Sequence, residues 1–172
     1  LLALAAGVSW AGDPEAGTAG FIGATKSRYS QGNEEVLIRN FFGDRRDGVF
    51  LDVGAYHWKK LSTTLYMEEQ LGWTGISIDA LDGFREGYER NRPGTKFFTY
   101  IVTDHTGSEE TFFMAEGAEG VSSVSTDWIQ RFFKNFFPGK NSRIREIEVP
   151  TITLDDLLAR EGIEHIDLLS MD

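Results

Sequence analysis

The stretch Val49-Phe50-Leu51-Asp52-Val53-Gly54-Ala55 decides how this chain folds. Its apolar residues run without strict alternation, interrupted only by Asp52, and a glycine follows. That pattern fits a short strand buried on both faces, as in a parallel sheet. Gly54 lets the backbone come close to a ligand, because it has no Cβ. Three further runs have the same form: Ile76-Ser77-Ile78-Asp79, Tyr100-Ile101-Val102-Thr103-Asp104 and Ile166-Asp167-Leu168-Leu169-Ser170-Met171-Asp172. In an open α/β sheet, ligands bind beyond the carboxyl ends of the strands. Asp52, Asp79, Asp104 and Asp172 are therefore expected to converge on one crevice. A row of acids there suits a ligand with hydroxyls, an amine and positive charge, and repels a pyrophosphate.

Outward from this stretch the chain alternates. Asn33 to Phe42 reads as a helix with Glu34 and Glu35 in its first turn. Ser62 is placed to cap a second helix carrying Leu65, Met67 and Leu71, with Gly72 as its stop and Trp73 packing back on it. Asp82 to Asn91 is a third helix, stopped before Pro93. Lys96 to Thr103 is the third strand. The order β-α-β-α-β predicts a doubly wound sheet with right-handed crossovers. Later, Glu110 to Ala115 reads as an extra strand, and Thr126 to Phe137 as an amphipathic, aromatic helix. Arg143 to Val149 alternates charged and apolar residues like an edge strand. Thr153 and Asp156 open another helix, and Ile166 to Met171 is the next central strand. In the polar loop Gly120 to Ser125, Ser122 and Ser125 read as turn and cap residues, with lining of an acceptor site as the alternative.

The 172 residues are enough for one domain with a core, and the 41% hydrophobic content excludes global disorder. A net charge of −10 argues against nucleic-acid partners. With no cysteine, disulfides and thiolate chemistry are absent, and three scattered histidines make no zinc motif. Residues 1–26 read as a leader and linker, and residues 27–172 as the folded domain. Leu1 to Val8 is apolar, and Ser9-Trp10-Ala11 has small residues where a signal peptidase would cut. Residues 1–11 are thus either a signal-peptide remnant or a plain leader, too short to span a bilayer. A cytoplasmic location and an exported or membrane-associated one both stay open. The chain stops at Asp172 directly after an apolar run, so the fold is expected to be incomplete at the C-terminus.

A dinucleotide fingerprint needs G-x-G-x-x-G, and Gly54-Ala55-Tyr56-His57-Trp58-Lys59 holds one glycine, so an NAD oxidoreductase is disfavoured. Asp79 can accept two hydrogen bonds from a ribose diol. Asp104 can meet an adenine amine. His57 titrates in the range of a general base, with a cap or packing role as its alternative. His105 reads as a turn residue and His165 as structural.

The segments Val49 to His57, Leu71 to Asp79 and Thr153 to Leu158 resemble the FkbM family of S-adenosyl-L-methionine-dependent methyltransferases. Ser30-Gln31-Gly32 with Glu34 and Glu35 resembles the segment before that family's first strand. Ile166 to Asp172 resembles the strand leading into its Asp-x-Glu-Gly motif. The resemblance covers residues 28–172, about two-thirds of such a domain. It implies a class I methyltransferase fold, Rossmann-like, with a mostly parallel doubly wound sheet. It also implies S-adenosylmethionine as cofactor, with Asp52, Gly54 and Ala55 in the cofactor loop, Asp79 and Ala80 at the ribose, and Asp104 near the adenine. Asp172 would face the methyl donor or acceptor. The implied acceptor is a sugar or natural-product hydroxyl on a small molecule or glycan, with His57 and Asp172 as candidate bases. Trp58, Thr63 and Ser170 depart from the family's pattern. The competing expectation is a noncatalytic binding or trafficking module that keeps the fold, which a signal-like leader would suit.

Overall fold

A computed structural model describes residues 2–3, 22–139 and 143–172. The leader and signal-peptide expectation falls almost wholly outside these residues. The chain forms two compact units, Leu1–Phe98 with Glu161–Asp172, and Thr99–Arg160.

The first unit is built on the sheet read from Val49. Its strands are β1 (Leu2–Ala3), β2 (Val49–Val53), β3 (Thr74–Asp79), β4 (Thr95–Thr99) and, late in the chain, β8 (Leu168–Met171). Their spatial order is β1-β8-β2-β3-β4. β2 runs parallel to both β3 and β8, and β1 pairs antiparallel with β8. The chain steps from β2 outward to β3 and β4, then returns to the other side of β2. That reversal makes the β2–β8 gap the topological switch point, where a doubly wound sheet opens a crevice.

Helices α1 (Glu34–Phe42), α2 (Leu65–Leu71) and α3 (Arg85–Asn91) belong to this unit. Glu35 in the first turn of α1 is fully buried, and its carboxylate accepts the N–H groups of Arg28 and Tyr29 at 3.0 Å. α2 starts as the sequence indicates, with Ser62 Oγ accepting the N–H of Leu65 at 3.1 Å. It ends at Gly72, whose φ of 71° is the left-handed conformation such a stop needs. The N–H of Gly72 reaches Glu68 O and that of Trp73 reaches Met67 O, both at 3.1 Å. Trp73 then folds into a core with Ile38, Phe50, Tyr66, Met67, Leu71 and Leu168. Burying a side chain of this kind contributes about 2–3 kcal/mol. The Asp82 to Asn91 segment divides into a 3₁₀ turn (Asp82–Phe84) and α3.

The second unit holds β5 (Ile101–Val102), β6 (Glu109–Ala115), α4 (Thr126–Phe136), β7 (Ile144–Ile152) and most of α5 (Leu154–Glu161). Its sheet has the order β5-β7-β6. Two expectations are corrected here. The third strand is broken: β4 stays with the first sheet and β5 joins the second. The alternating segment near Arg143 is the central strand of this sheet, not its edge. It is paired antiparallel with β6 from Ala115↔Ile144 to Glu109↔Pro150 and parallel with β5 at Thr151 and Ile152. Its alternation reflects one solvated face, since Glu146, Glu148 and Pro150 are exposed while Val149 and Thr151, on the other face, are buried. The caps hold: Ser125 Oγ accepts the N–H of Trp128 at 3.4 Å, and Thr153 Oγ1 that of Asp156 at 3.1 Å. Ser122 Oγ accepts the N–H of Ala115 at 3.0 Å, which is a turn role.

Candidate functional site

The carboxyl ends of β8, β2 and β3 lie side by side, so Asp172, Gly54 and Asp79 share one edge of the sheet. Gly54 has φ 75°, and its N–H and that of Ala55 both donate to Ile78 O, at 2.9 and 3.0 Å. The turn thereby bends over the end of β3. On its other side it meets β8: a Cβ on Gly54 would lie 3.1 Å from Asp172 O and 3.3 Å from Asp172 Cβ. Any larger residue would be strained in conformation and crowded against Asp172.

Asp79 fastens this turn. Its Oδ2 accepts the N–H of Tyr56 at 2.8 Å and its Oδ1 that of Leu81 at 2.9 Å. Burial pushes its carboxyl above the usual carboxylate range, against those backbone hydrogen bonds. The Ala80 N–H also hydrogen-bonds this carboxylate, and since a carboxylate offers about four lone-pair sites, about one remains for a ligand. Ala55 and Ala80, both buried, keep the walls small. Tyr56 packs edge-on against Phe84, with ring centroids 4.8 Å apart.

His57 lies in the same loop. Its Nδ1 accepts the N–H groups of Lys59 and Lys60 at 3.0 and 3.2 Å, which leaves the ring proton on Nε2. Burial lowers its basicity, and the Lys60 charge adds to this. The neutral ring therefore has its lone pair committed to the loop. It can donate from Nε2, and it can accept a proton only if the loop lets go.

Asp52 does not reach the edge. It lies one residue before the strand end, and its side chain is buried in the face shared with Ser77 and Ser170, the residues paired with it on β3 and β8. Thr64 Oγ1 donates to Asp52 Oδ2 at 2.9 Å, and Ser170 also hydrogen-bonds it. Burial raises its pKa in spite of these bonds and of the nearby Arg92 charge.

Arg92 is the centre of a network that sequence reasoning missed. Its side chain is fully buried against Glu68, with which it forms an ion pair. It also donates to Trp58 O at 3.2 Å, Ser62 Oγ at 3.3 Å and Thr64 Oγ1 at 3.2 Å. Glu68 in turn accepts the Gly94 N–H at 2.9 Å and the Thr95 hydroxyl. One cation thus joins the loop after β2, α2 and the end of α3, and through Thr64 it reaches Asp52. No signal in the sequence links Glu68 to Arg92, which reads as an ordinary cation near a helix C-terminus. Trp58 fits because α3 carries Gly87 beneath it, where a Cβ would lie 2.4 Å from Trp58 Cδ1.

Asp104 belongs to the second unit, after β5. Its side chain is almost fully exposed, and a hydrogen bond from His105 (2.9 Å) holds its carboxyl below the usual range. Of the four acids expected to converge, three come from adjacent strands of one sheet, and Asp104 follows a strand of the other. His165 bonds Asp167 at 2.9 Å, a structural role. Among the described residues no group of His, Asp and Glu could hold a metal ion, and no helix is long and apolar enough to cross a membrane.

A parallel sheet with a switch-point crevice, a glycine turn and a carboxylate at the next strand end defines a Rossmann-like α/β domain. Within that class, the Methyltransferase FkbM domain model matches residues 52–172, and the chain belongs to that methyltransferase family. Comparisons with curated proteins and with solved structures give no match.

Proposed function

We propose that the chain is an S-adenosylmethionine-dependent methyltransferase domain that methylates a hydroxyl of a small-molecule or glycan acceptor. One observation carries this reading. Asp79 sits half-buried at the end of β3, beside the Gly54 turn, with hydrogen-bonding capacity left over. The residues fit the cofactor's chemistry. Asp79 would hold the ribose diol, and Gly54, Ala55 and Ala80 would leave room for backbone contact. The edge carries carboxylates and no lysine or arginine among Gly54–His57, Asp79–Leu81 and Asp172, which suits a cation and disfavours a pyrophosphate. The group supplies an activated methyl on a sulfonium. The protein's own part is alignment, and holding donor and acceptor in line can supply several kcal/mol.

A hydroxyl acceptor must also lose its proton. Asp172, exposed at the end of β8 against Gly54, is the base we favour. His57, with Nδ1 committed to the loop, orients through Nε2–H instead. Asp104 as the adenine partner is carried by the family resemblance alone, and Asp52 acts by bracing the strand beneath the turn.

The test is calorimetric titration of the folded protein with S-adenosylmethionine and its demethylated product. Asp79→Ala should weaken binding by about 1.5–3 kcal/mol, the worth of hydrogen bonds to a charged group. A circular dichroism melt of the same variant separates lost binding from lost fold. Absence of binding by the intact, folded protein would overturn the reading. Methylation of a polyol panel, read by mass, then tests the hydroxyl specificity.

A further inference from the structure

The loop after β2 changes sign along its length. Gly54 to His57 share the sheet edge with Asp79 and Asp172, and Lys59 and Lys60 follow directly beyond Trp58. Between Val53 and Met67 these lysines are the sole formal charges, in a chain whose net charge is −10. The next four cations along the chain, Arg85, Arg90, Arg92 and Lys96, are each paired with a carboxylate. Lys59 and Lys60 are exposed and have no acid partner among the described residues. Neighbouring like charges repel, and an anionic ligand would relieve that repulsion.

An aromatic surface leads from the edge to these lysines. Tyr56, whose N–H is held by Asp79, packs on Phe84. The His57 ring stacks on Trp58, with centroids 5.6 Å apart and planes inclined by 25°. Lys59 Nζ lies 5.7 Å from the centre of the Trp58 ring. All four rings are half-buried, so each keeps part of its surface in water. The surface is also fixed in place. Arg92 holds the Trp58 carbonyl, Gly87 makes room for the Trp58 ring, and two backbone N–H groups hold His57 Nδ1. Flat rings of this kind suit the C–H face of a sugar ring, and a few placed polar groups then fix its orientation.

We propose that this surface is the acceptor subsite and that the acceptor is an anion, a polyol bearing a carboxylate or a phosphate. The inference rests on the methyltransferase reading above. The acceptor ring lies on His57 and Trp58, its charged group meets the Lys59 and Lys60 ammoniums, and His57 Nε2–H donates to one of its oxygens. The carboxylates at the edge repel the charged end, so the hydroxyl end turns toward Asp172. The crevice then has two poles, an acidic one for the sulfonium and a basic one for the acceptor.

The test measures acceptor and cofactor separately on the whole chain. Saturation-transfer NMR without cofactor reads the binding of glucose, glucuronate and glucose 6-phosphate, and calorimetry reads that of S-adenosylmethionine. At about 0.05 M salt, glucuronate or glucose 6-phosphate should bind about tenfold tighter than glucose, and about 0.5 M salt should remove the preference. Lys59→Gln/Lys60→Gln should also remove it while leaving the melting temperature and the cofactor affinity unchanged. The tighter of the two acids tells carboxylate from phosphate. Equal affinity for all three sugars, no binding of any, or a preference that survives the double variant would overturn the proposal. So would a double variant with weakened cofactor binding, because the lysines would then hold the cofactor's own carboxylate. Lysine-dependent binding of the acids by a protein that does not bind cofactor would uphold the anion site and sink the methyltransferase reading instead.

Discussion

The floor of the β2–β8 crevice and the turn after β5 are both assembled from carboxylates, hydroxyls and a basic side chain, one dry and the other wet. In the floor, Asp52, Thr64, Glu68 and Arg92 satisfy one another out of water. In the turn, Asp104, His105 and Ser108 form a comparable chain, with His105 Nε2 2.8 Å from Ser108 Oγ, but the carboxylate is bathed in solvent. Desolvation makes the difference. In a dry setting each partner is obligatory, because the one left behind is a buried charge. In a wet one, water replaces whatever is removed.

The sharpest way to break that contrast is Arg92→Met. It strands Glu68 and Asp52 and should cost about 3–5 kcal/mol in chemical denaturation. Adding Glu68→Leu should recover part of it. A loss near zero would mean that the floor is as wet as the turn. Next comes Gly87→Ala, whose Cβ would meet Trp58 at 2.4 Å. Overpacking of this kind costs about 1–3 kcal/mol, and Trp58→Ala in the same chain should relieve it, as thermal melts would show.

The pH dependences should have opposite signs. Asp79 is raised by burial above the ordinary value of 3.8, so the native state binds more protons than the unfolded one above that value. Its contribution is fully present below 3.8 and is lost as pH rises through its folded pKa. Asp79→Asn should flatten that decline in urea midpoints, and an unchanged slope would contradict the burial argument. The smallest effect belongs to Asp104, held low by His105. Its stabilisation is present above 3.8 and fades as pH falls through the folded value. Asp104→Asn should be invisible in midpoints and detectable only as a local chemical-shift change at His105, which loses its hydrogen-bonded carboxylate.

Much of the first unit was legible from local pattern. Gly72, Ser62 and the strand at Val49 carry signals within a few residues of one another, so they could be read, as could the Thr153 cap in the second unit. The break between β4 and β5 could not, because Lys96 to Thr103 is one continuous strand-like run and only long-range pairing divides it. Asp52 and Asp79 look equivalent in their runs, yet one extra residue of strand, Val53, turns the first inward and leaves the second at the rim. The Arg92 network was illegible for a related reason: its members are 24 to 34 positions apart and each reads as an ordinary surface residue. Trp58, a departure from the family's pattern, becomes intelligible once Gly87 is seen under it.

The guanidinium of Arg92 also bears on how the crevice meets its ligand. Because it grips Trp58 O and two hydroxyls at the start of α2, the loop after β2 is already in one arrangement before anything arrives. Little ordering entropy then remains to be lost on association. Amide exchange at Thr64 and Gly94 should accordingly be as slow in the free protein as in the complex.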